Sequence, residues 1–156
     1  MIMPQDRCPE NTIDDILGGL EEFEVDYELQ ETESISPGEL LINDCKAFFS
    51  DGGALSQWDF DGRKYEERPQ QTAMALAVAR SLVNGSNLCV EAPTGVGKSF
   101  AYLVPLIYRS RHCALPSVVS TETINLQEQL MNKDIPMLRQ LTGLDIKAAL
   151  AKGRHN

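Results

Sequence analysis

The sequence predicts an α/β fold: a parallel sheet flanked by helices, preceded by an acidic, partly helical N-terminal extension. Three observations lead there. Short apolar runs at 88–91, 117–120 and 145–151 alternate with segments of helical character, and strands alternating with helices imply right-handed crossovers and a parallel sheet. The first run leads directly into a glycine-containing loop that opens a helix. The charge is also unevenly spread. Residues 1–34 hold eleven acids against Arg7 alone, a balance of −10, whereas residues 35–156 hold 12 acids and 13 bases. The overall charge of −9 therefore belongs to the extension, and the body is neutral and free to bind an anion locally.

Composition sets the outer bounds. A chain of 156 residues fits one domain with an appendage, and 42 % hydrophobic with 24 % charged residues excludes a disordered or fibrous protein. The longest apolar run falls far short of the roughly 20 residues of a membrane span. No basic start followed by an apolar stretch resembles a secretory signal, so a cytoplasmic protein with no membrane partner is expected. Cys8, Cys45, Cys89 and Cys113 contain no C-x-x-C pair. That spacing offers no metal knuckle, and reduced cysteines are expected, either small buried apolar residues or idle surface thiols.

Each element has its own signal. In the extension, Thr12 followed by Asp15 resembles a helix start, and Ile13, Ile16, Leu17, Leu20 and Phe23 share a helical face; Gly18 and Gly19 weaken that helix, which reads as a frayed helix in a mobile tail, with docking to an unknown protein partner as the alternative. Residues 35–64 read as a helix and a loop leading into the core. Ser36-Pro37-Gly38-Glu39 supplies a cap, a proline at the first helical position and a carboxylate three residues after the cap. This helix runs to Phe49 and stops at Gly52-Gly53, followed by a loop anchored by Trp58, Phe60 and Tyr65. Pro69 opens a helix to about Asn84, with Gly85 as its stop. A strand at 88–91, a helix from about Lys98 to Arg109 and a strand at 117–120 follow. Asn125 to Met131 reads as a helix, 138–141 as another closed by Gly143, and 145–151 as the third strand.

The informative stretch is Glu91-Ala92-Pro93-Thr94-Gly95-Val96-Gly97-Lys98-Ser99, between a strand and a helix. That context makes a phosphate loop credible. Gly95 and Gly97 allow backbone conformations closed to other residues, so successive N–H groups can turn around a phosphate. The helix after the loop points the positive end of its dipole at the same anion. Lys98 can reach the β- and γ-phosphates, and the Ser99 hydroxyl can ligate Mg²⁺. The motif ordinarily begins with Gly; Ala92 stands there in this chain, and the G-x-G-K-S portion is intact. A glycine-rich turn that happens to carry Lys and Ser is the plain alternative.

Two flanking segments extend the pattern. Tyr65-Glu66-Glu67-Arg68-Pro69-Gln70-Gln71 lies upstream, with Gln71 27 residues before Lys98. Thr121-Glu122-Thr123-Ile124-Asn125-Leu126-Gln127 leaves the second predicted strand. With the loop, these resemble the start of the DinG/XPD-type superfamily-two DNA helicases, nearest the bacterial DinG branch. The resemblance runs from about Tyr65 to Asn156, about 60 % of the chain. It implies an incomplete RecA-like P-loop NTPase domain over 65–156, with ATP and Mg²⁺ as ligands and single-stranded DNA as partner. It makes Gln71 the adenine-reading glutamine, a task that suits a side-chain amide; an exposed helical glutamine is the alternative. Arg68 would brace that region, with an ordinary arginine flanking the helix start as the alternative. The resemblance also gives Thr121 and Thr123, with Gln127, contacts to the DNA backbone, against simple helix capping by Thr. Lys152-Gly153-Arg154-His155-Asn156 resembles the stretch that leads, in that family, to the first cysteine of a 4Fe–4S cluster. The cluster is expected only in a full-length parent, because none of the four cysteines here matches its ligands.

Phosphoryl transfer needs a carboxylate for Mg²⁺, a group that orients water and usually an arginine. In the helicases the first two sit on an Asp-Glu box, and no Asp-Glu pair occurs in this sequence; Phe23-Glu24-Val25-Asp26 is a poor substitute. The expectation is therefore an ATP-binding segment of a helicase whose parent is an ATP hydrolase. By itself the segment is expected neither to unwind DNA nor to hydrolyse ATP appreciably. A stand-alone module that holds nucleotide or single-stranded DNA without turnover, and a P-loop small-molecule kinase, are the alternatives.

Overall fold

A computed structural model describes residues 35–60 and 62–152. The amphipathic pattern at 13–23, the rest of the extension, and Gly153 to Asn156 lie outside the described residues. The helices and their shared core lie in one compact unit that begins at Ser36.

Helix α1 (Pro37–Phe49) starts where the sequence indicates. The Ser36 hydroxyl accepts from the Glu39 backbone N–H at 3.2 Å, and the Glu39 carboxylate accepts from the Ser36 N–H at 3.0 Å, so two orphan donors are satisfied reciprocally. Leu41, Cys45, Phe48 and Phe49 recur at helical spacing and are buried. Burial, with Asp44 adding to it, pushes the Cys45 thiol up to about 12, which makes it a core side chain and not a nucleophile. The aromatic loop that follows contains a small antiparallel ladder, β1 (Asp59–Phe60) with β2 (Arg63–Lys64), which the sequence did not signal.

Helix α2 (Pro69–Asn84) has the predicted bounds and ends as the Gly85 N–H donates to the Ser81 carbonyl. Helix α3 (Lys98–Cys113) begins as predicted but continues four residues past Arg109. Pro105 lies inside it and is fully buried, and neighbouring helices hold the turn that a proline would loosen in water. The extra turn brings His112 Nε2 within 2.7 Å of Asp44 Oδ2 on α1. Tyr108 stacks on the His112 ring, with centroids 6.3 Å apart.

The helix expected over 125–131 starts one residue earlier, as α4 (Ile124–Gln129), and then widens into a π-turn at Leu130–Asp134. Within that turn the Ile135 N–H donates five residues back, to Leu130 O. Pro136 has no N–H, so the ordinary ladder loses a bond at this point and the wider turn takes up the break. Helix α5 (Ile135–Thr142) closes at Gly143. The core joins Leu41, Cys45, Phe48 and Phe49 of α1 to Ala75, Ala79, Ala101, Leu103 and Val104 of α2 and α3, and to Leu130 and Leu138. Among the described residues no helix is long and apolar enough to cross a membrane.

The expected parallel sheet is absent among the described residues. The runs at 88–91, 117–120 and 145–151 carry no ladder, and the hairpin is the one sheet described. A strand exists only through bonds to a neighbour. Here residues 117–121 and 144–151 both border a cavity of about 1010 Å³ along the second half of α3. Leu88, Val90, Val118 and Val119 are exposed, Val118 at 91 %, so the side chains that would bury a strand have no cover. Apolar patterning of this kind is a strand-like signal, but patterning alone supplies no partner.

The cap of α1 has a measurable pH signature. Bonds from the Ser36 N–H and hydroxyl hold the Glu39 carboxyl below its ordinary value of 4.5. A lowered carboxyl stabilises the fold above its unfolded pKa and loses that effect as pH falls through the folded value. Glu39→Ala should therefore lower Tm at pH 7, and the difference from wild type should shrink as the pH falls below 4.5. Ser36→Ala should cost about 1 kcal/mol in urea melts.

Candidate functional site

Helices α2 and α3 form the most extensive helix pairing in the molecule. The reason lies in side-chain size: Ala75 and Ala79 on α2 and Ala101 on α3 are wholly buried, and a methyl group lets two backbones come close. Gln71, Ala75 and Ala79 lie four apart, so they share one stripe of α2, while Gly97 lies four before Ala101. The seam thus ends with Gln71 set against Gly97.

At that end the side chains grip the loop. Gln71 Nε2 donates to the Gly97 carbonyl at 2.9 Å, and the Tyr65 hydroxyl donates to Gln71 Oε1 at 2.6 Å. Gln71 is 3 % exposed, neither an exposed helical residue nor one with an open amide. Arg68 Nη1 donates to the Gly95 carbonyl at 2.9 Å, so Arg68 does brace the loop. In a trans peptide the N–H points opposite to the C=O. The N–H groups of Val96 and Lys98 therefore face away from Arg68 and Gln71, on the other side of the loop.

Gly97 is the N-cap of α3 at φ 85°, and Gly95 has the same φ. The space beside Gly95 is open, with nothing within 4 Å of where a Cβ would stand, so a ligand can approach the backbone there. Lys98 Nζ donates to the Ala92 and Pro93 carbonyls at 2.9 and 3.0 Å, which folds its head over the loop with one of its three donors unspent. Thr94 is exposed and Val96 half-buried. Ser99 is half-buried in the first turn of α3, three residues before Tyr102. Burial raises the Tyr102 hydroxyl pKa, and the buried Asp134 of the π-turn adds to that rise. The stretch from Ala92 to Ser99 thus brings together a helix N-terminus, two glycines in the left-handed region, a lysine and a hydroxyl.

The three residues read as nucleic-acid contacts are neighbours: the Thr121 hydroxyl donates to the Thr123 carbonyl at 3.4 Å, and Gln127 follows Thr123 by one helical turn. Thr123 is the N-cap of α4, its hydroxyl accepting from the Leu126 N–H at 3.3 Å. Thr121 and Gln127 instead border the cavity beside α3, and Gln127 Oε1 is buried there without a hydrogen-bond partner. Sequence reasoning gave Tyr65 and Tyr102 no role at the site. The i, i+3 spacing of Ser99 and Tyr102 on a helix was a usable signal; the Tyr65 contact, made across a turn, had none.

Residues 68–155 match the DEAD/DEAH box helicase family. Among curated proteins, the chain is similar to the ATP-dependent DNA helicase YoaA of Haemophilus influenzae, 39 % identical over 114 residues, 73 % of this chain and 17 % of that protein. It is 50 % identical over 93 residues to the ATP-dependent helicase DinG of Mycobacterium tuberculosis, covering 57 % of this chain and 14 % of that one. The 3'-5' exonuclease DinG of Bacillus subtilis is 29 % identical over 136 residues, 82 % of this chain and 14 % of that protein. The chain thus spans 14–17 % of the length of these relatives. No solved structure matches it.

The seam makes a sharp demand at Gly97. A Cβ there would stand 2.2 Å from Gln71 Nε2, in a backbone conformation that costs an L-residue about 1–2 kcal/mol. Gly97→Ala should lower stability in urea melts by at least about 1 kcal/mol. Gly95→Ala shares the left-handed cost but meets no neighbour, so it should be the milder change.

Proposed function

This chain belongs to the DEAD/DEAH box helicase family, and on that premise we propose that it is the nucleotide-binding N-terminal segment of an ATP-dependent DNA helicase. Residues 65–156 make up the beginning of a RecA-like domain, 35–64 lead into it, and the acidic 1–34 form a separate extension. ATP binds with its phosphates along Ala92, Pro93, Thr94, Gly95, Val96 and Gly97. Lys98 meets the β- and γ-phosphates, and Ser99 ligates the Mg²⁺ that travels with the nucleotide. Single-stranded DNA is the second ligand, with Thr121, Thr123 and Gln127 as its contacts. Any 4Fe–4S cluster belongs to a longer parent chain.

The observation that carries this reading is the braced loop, in which Arg68 and Gln71 hold two carbonyls and the Lys98 ammonium rests on two more. Binding without appreciable turnover is the expected behaviour of these residues, since the sequence contains no Asp-Glu pair to hold the metal and orient water.

Calorimetric titration of the 156-residue chain with ATP and Mg²⁺ tests the proposal. Saturable binding is expected, weakened at least about ten-fold by Lys98→Ala, because a charge-assisted bond to phosphate is lost. Binding that is indifferent to Lys98 would sink the assignment.

A further inference from the structure

Helix α4, the π-turn and α5 share one inward stripe at a spacing of four: Leu126 is half-buried, and Leu130, Asp134 and Leu138 are buried. In an unbroken α-helix that spacing drifts by about 40° at each step. The wider turn at Leu130–Asp134 advances fewer degrees per residue, which keeps the stripe facing the core. Three of the four side chains are leucines in the core or packed against it. The fourth is a carboxylate, 4 % exposed. Among the described residues no cation pairs with it, since the ion pair described there joins His112 to Asp44. Nor does its side chain cap α5. A charge in that place costs stability that an apolar side chain would not, so core packing does not account for Asp134.

The carboxylate has one neighbour on each side. Gln129, the last residue of α4, donates from Nε2 to Asp134 Oδ2 at 3.1 Å. The π-turn packs on α3, where Tyr102 is half-buried against the core. Burial raises the Tyr102 hydroxyl pKa and the Asp134 charge adds to the rise, which places the two groups near each other. Tyr102 stands one turn after Ser99, on the helix that the phosphate loop opens. Gln129 ends the helix that begins at the Thr123 cap and carries Gln127. We propose that Asp134 is a positioning residue that fixes α4 against α3, so that nucleotide bound at the loop alters the setting of the segment carrying Thr123 and Gln127. This rests on the phosphate-site reading above and deepens it, by naming the link from that site to the proposed nucleic-acid contacts.

The test follows the labelled 156-residue chain by NMR as ATP and Mg²⁺ are added to saturation. In the wild type, the side-chain amide of Gln129 and the backbone N–H groups of Asn125 to Gln129 should shift with the same midpoint as the loop. Asp134→Ala, shown to be folded by circular dichroism, should lose the α4 shifts at saturating nucleotide while the loop shifts persist. A carboxylate with only a structural role would lower the urea midpoint when removed and leave the α4 shifts in place, and that result overturns the inference. Wild-type shifts that stop within α3 overturn it as well and leave the phosphate site standing. A wild-type chain whose loop does not respond to ATP overturns the phosphate-site reading and this inference with it. Should Asp134→Ala unfold, Gln129→Ala decides, because it breaks the same bond from the exposed side. Loss of the α4 backbone shifts in that variant supports the link, and their retention contradicts it.

Discussion

Between α2 and α3, side chains no larger than a methyl group let two helix backbones approach, and that approach carries the Gln71 amide to within 2.9 Å of the Gly97 carbonyl. Everything of chemical interest in the described residues follows from this closeness. A larger residue at Ala75, Ala79 or Ala101 would wedge the helices apart, at a cost of about 1–3 kcal/mol for overpacking. The same wedge would withdraw the whole upstream segment, Tyr65, Arg68 and Gln71 together, from the loop. Glycine at 97 is the other half of the constraint, because the amide occupies the space that any Cβ would need.

Local chemistry was the most legible part of the sequence. Ser36 with Glu39, Pro69 with Gly85, and Gly143 marked helix ends that the structure reproduces, because caps and stops act within a few residues. The loop from Ala92 to Ser99 was legible for the same reason: its glycines, lysine and serine are adjacent in the chain. The longer α3 and the π-turn were less so. The π-turn turns on Pro136, whose effect depends on what surrounds it.

Longer-range features escaped for a different reason. Strand-like runs at 88–91, 117–120 and 145–151 describe a side-chain pattern, whereas a sheet is a relation between segments, and no ladder joins them among the described residues. The pairing of Gln71 with Gly97 spans 26 residues and is set by helix packing, so spacing could point to Gln71 as important without saying what it touches. The resemblance to helicases placed Thr121, Thr123 and Gln127 in one motif. In the structure Thr123 caps α4, while Thr121 and Gln127 beside it border the cavity.

The central claim is that the stretch from Ala92 to Ser99 is a braced polyphosphate cradle, and backbone amide shifts report on it most directly. On adding ATP with Mg²⁺ to the labelled 156-residue chain, the account predicts the largest shifts at the N–H groups of Gly95 to Ser99. Smaller, saturating shifts at Arg68 and Gln71 should accompany them. Shifts that leave the loop unmoved and gather instead along the cavity beside α3 would contradict it.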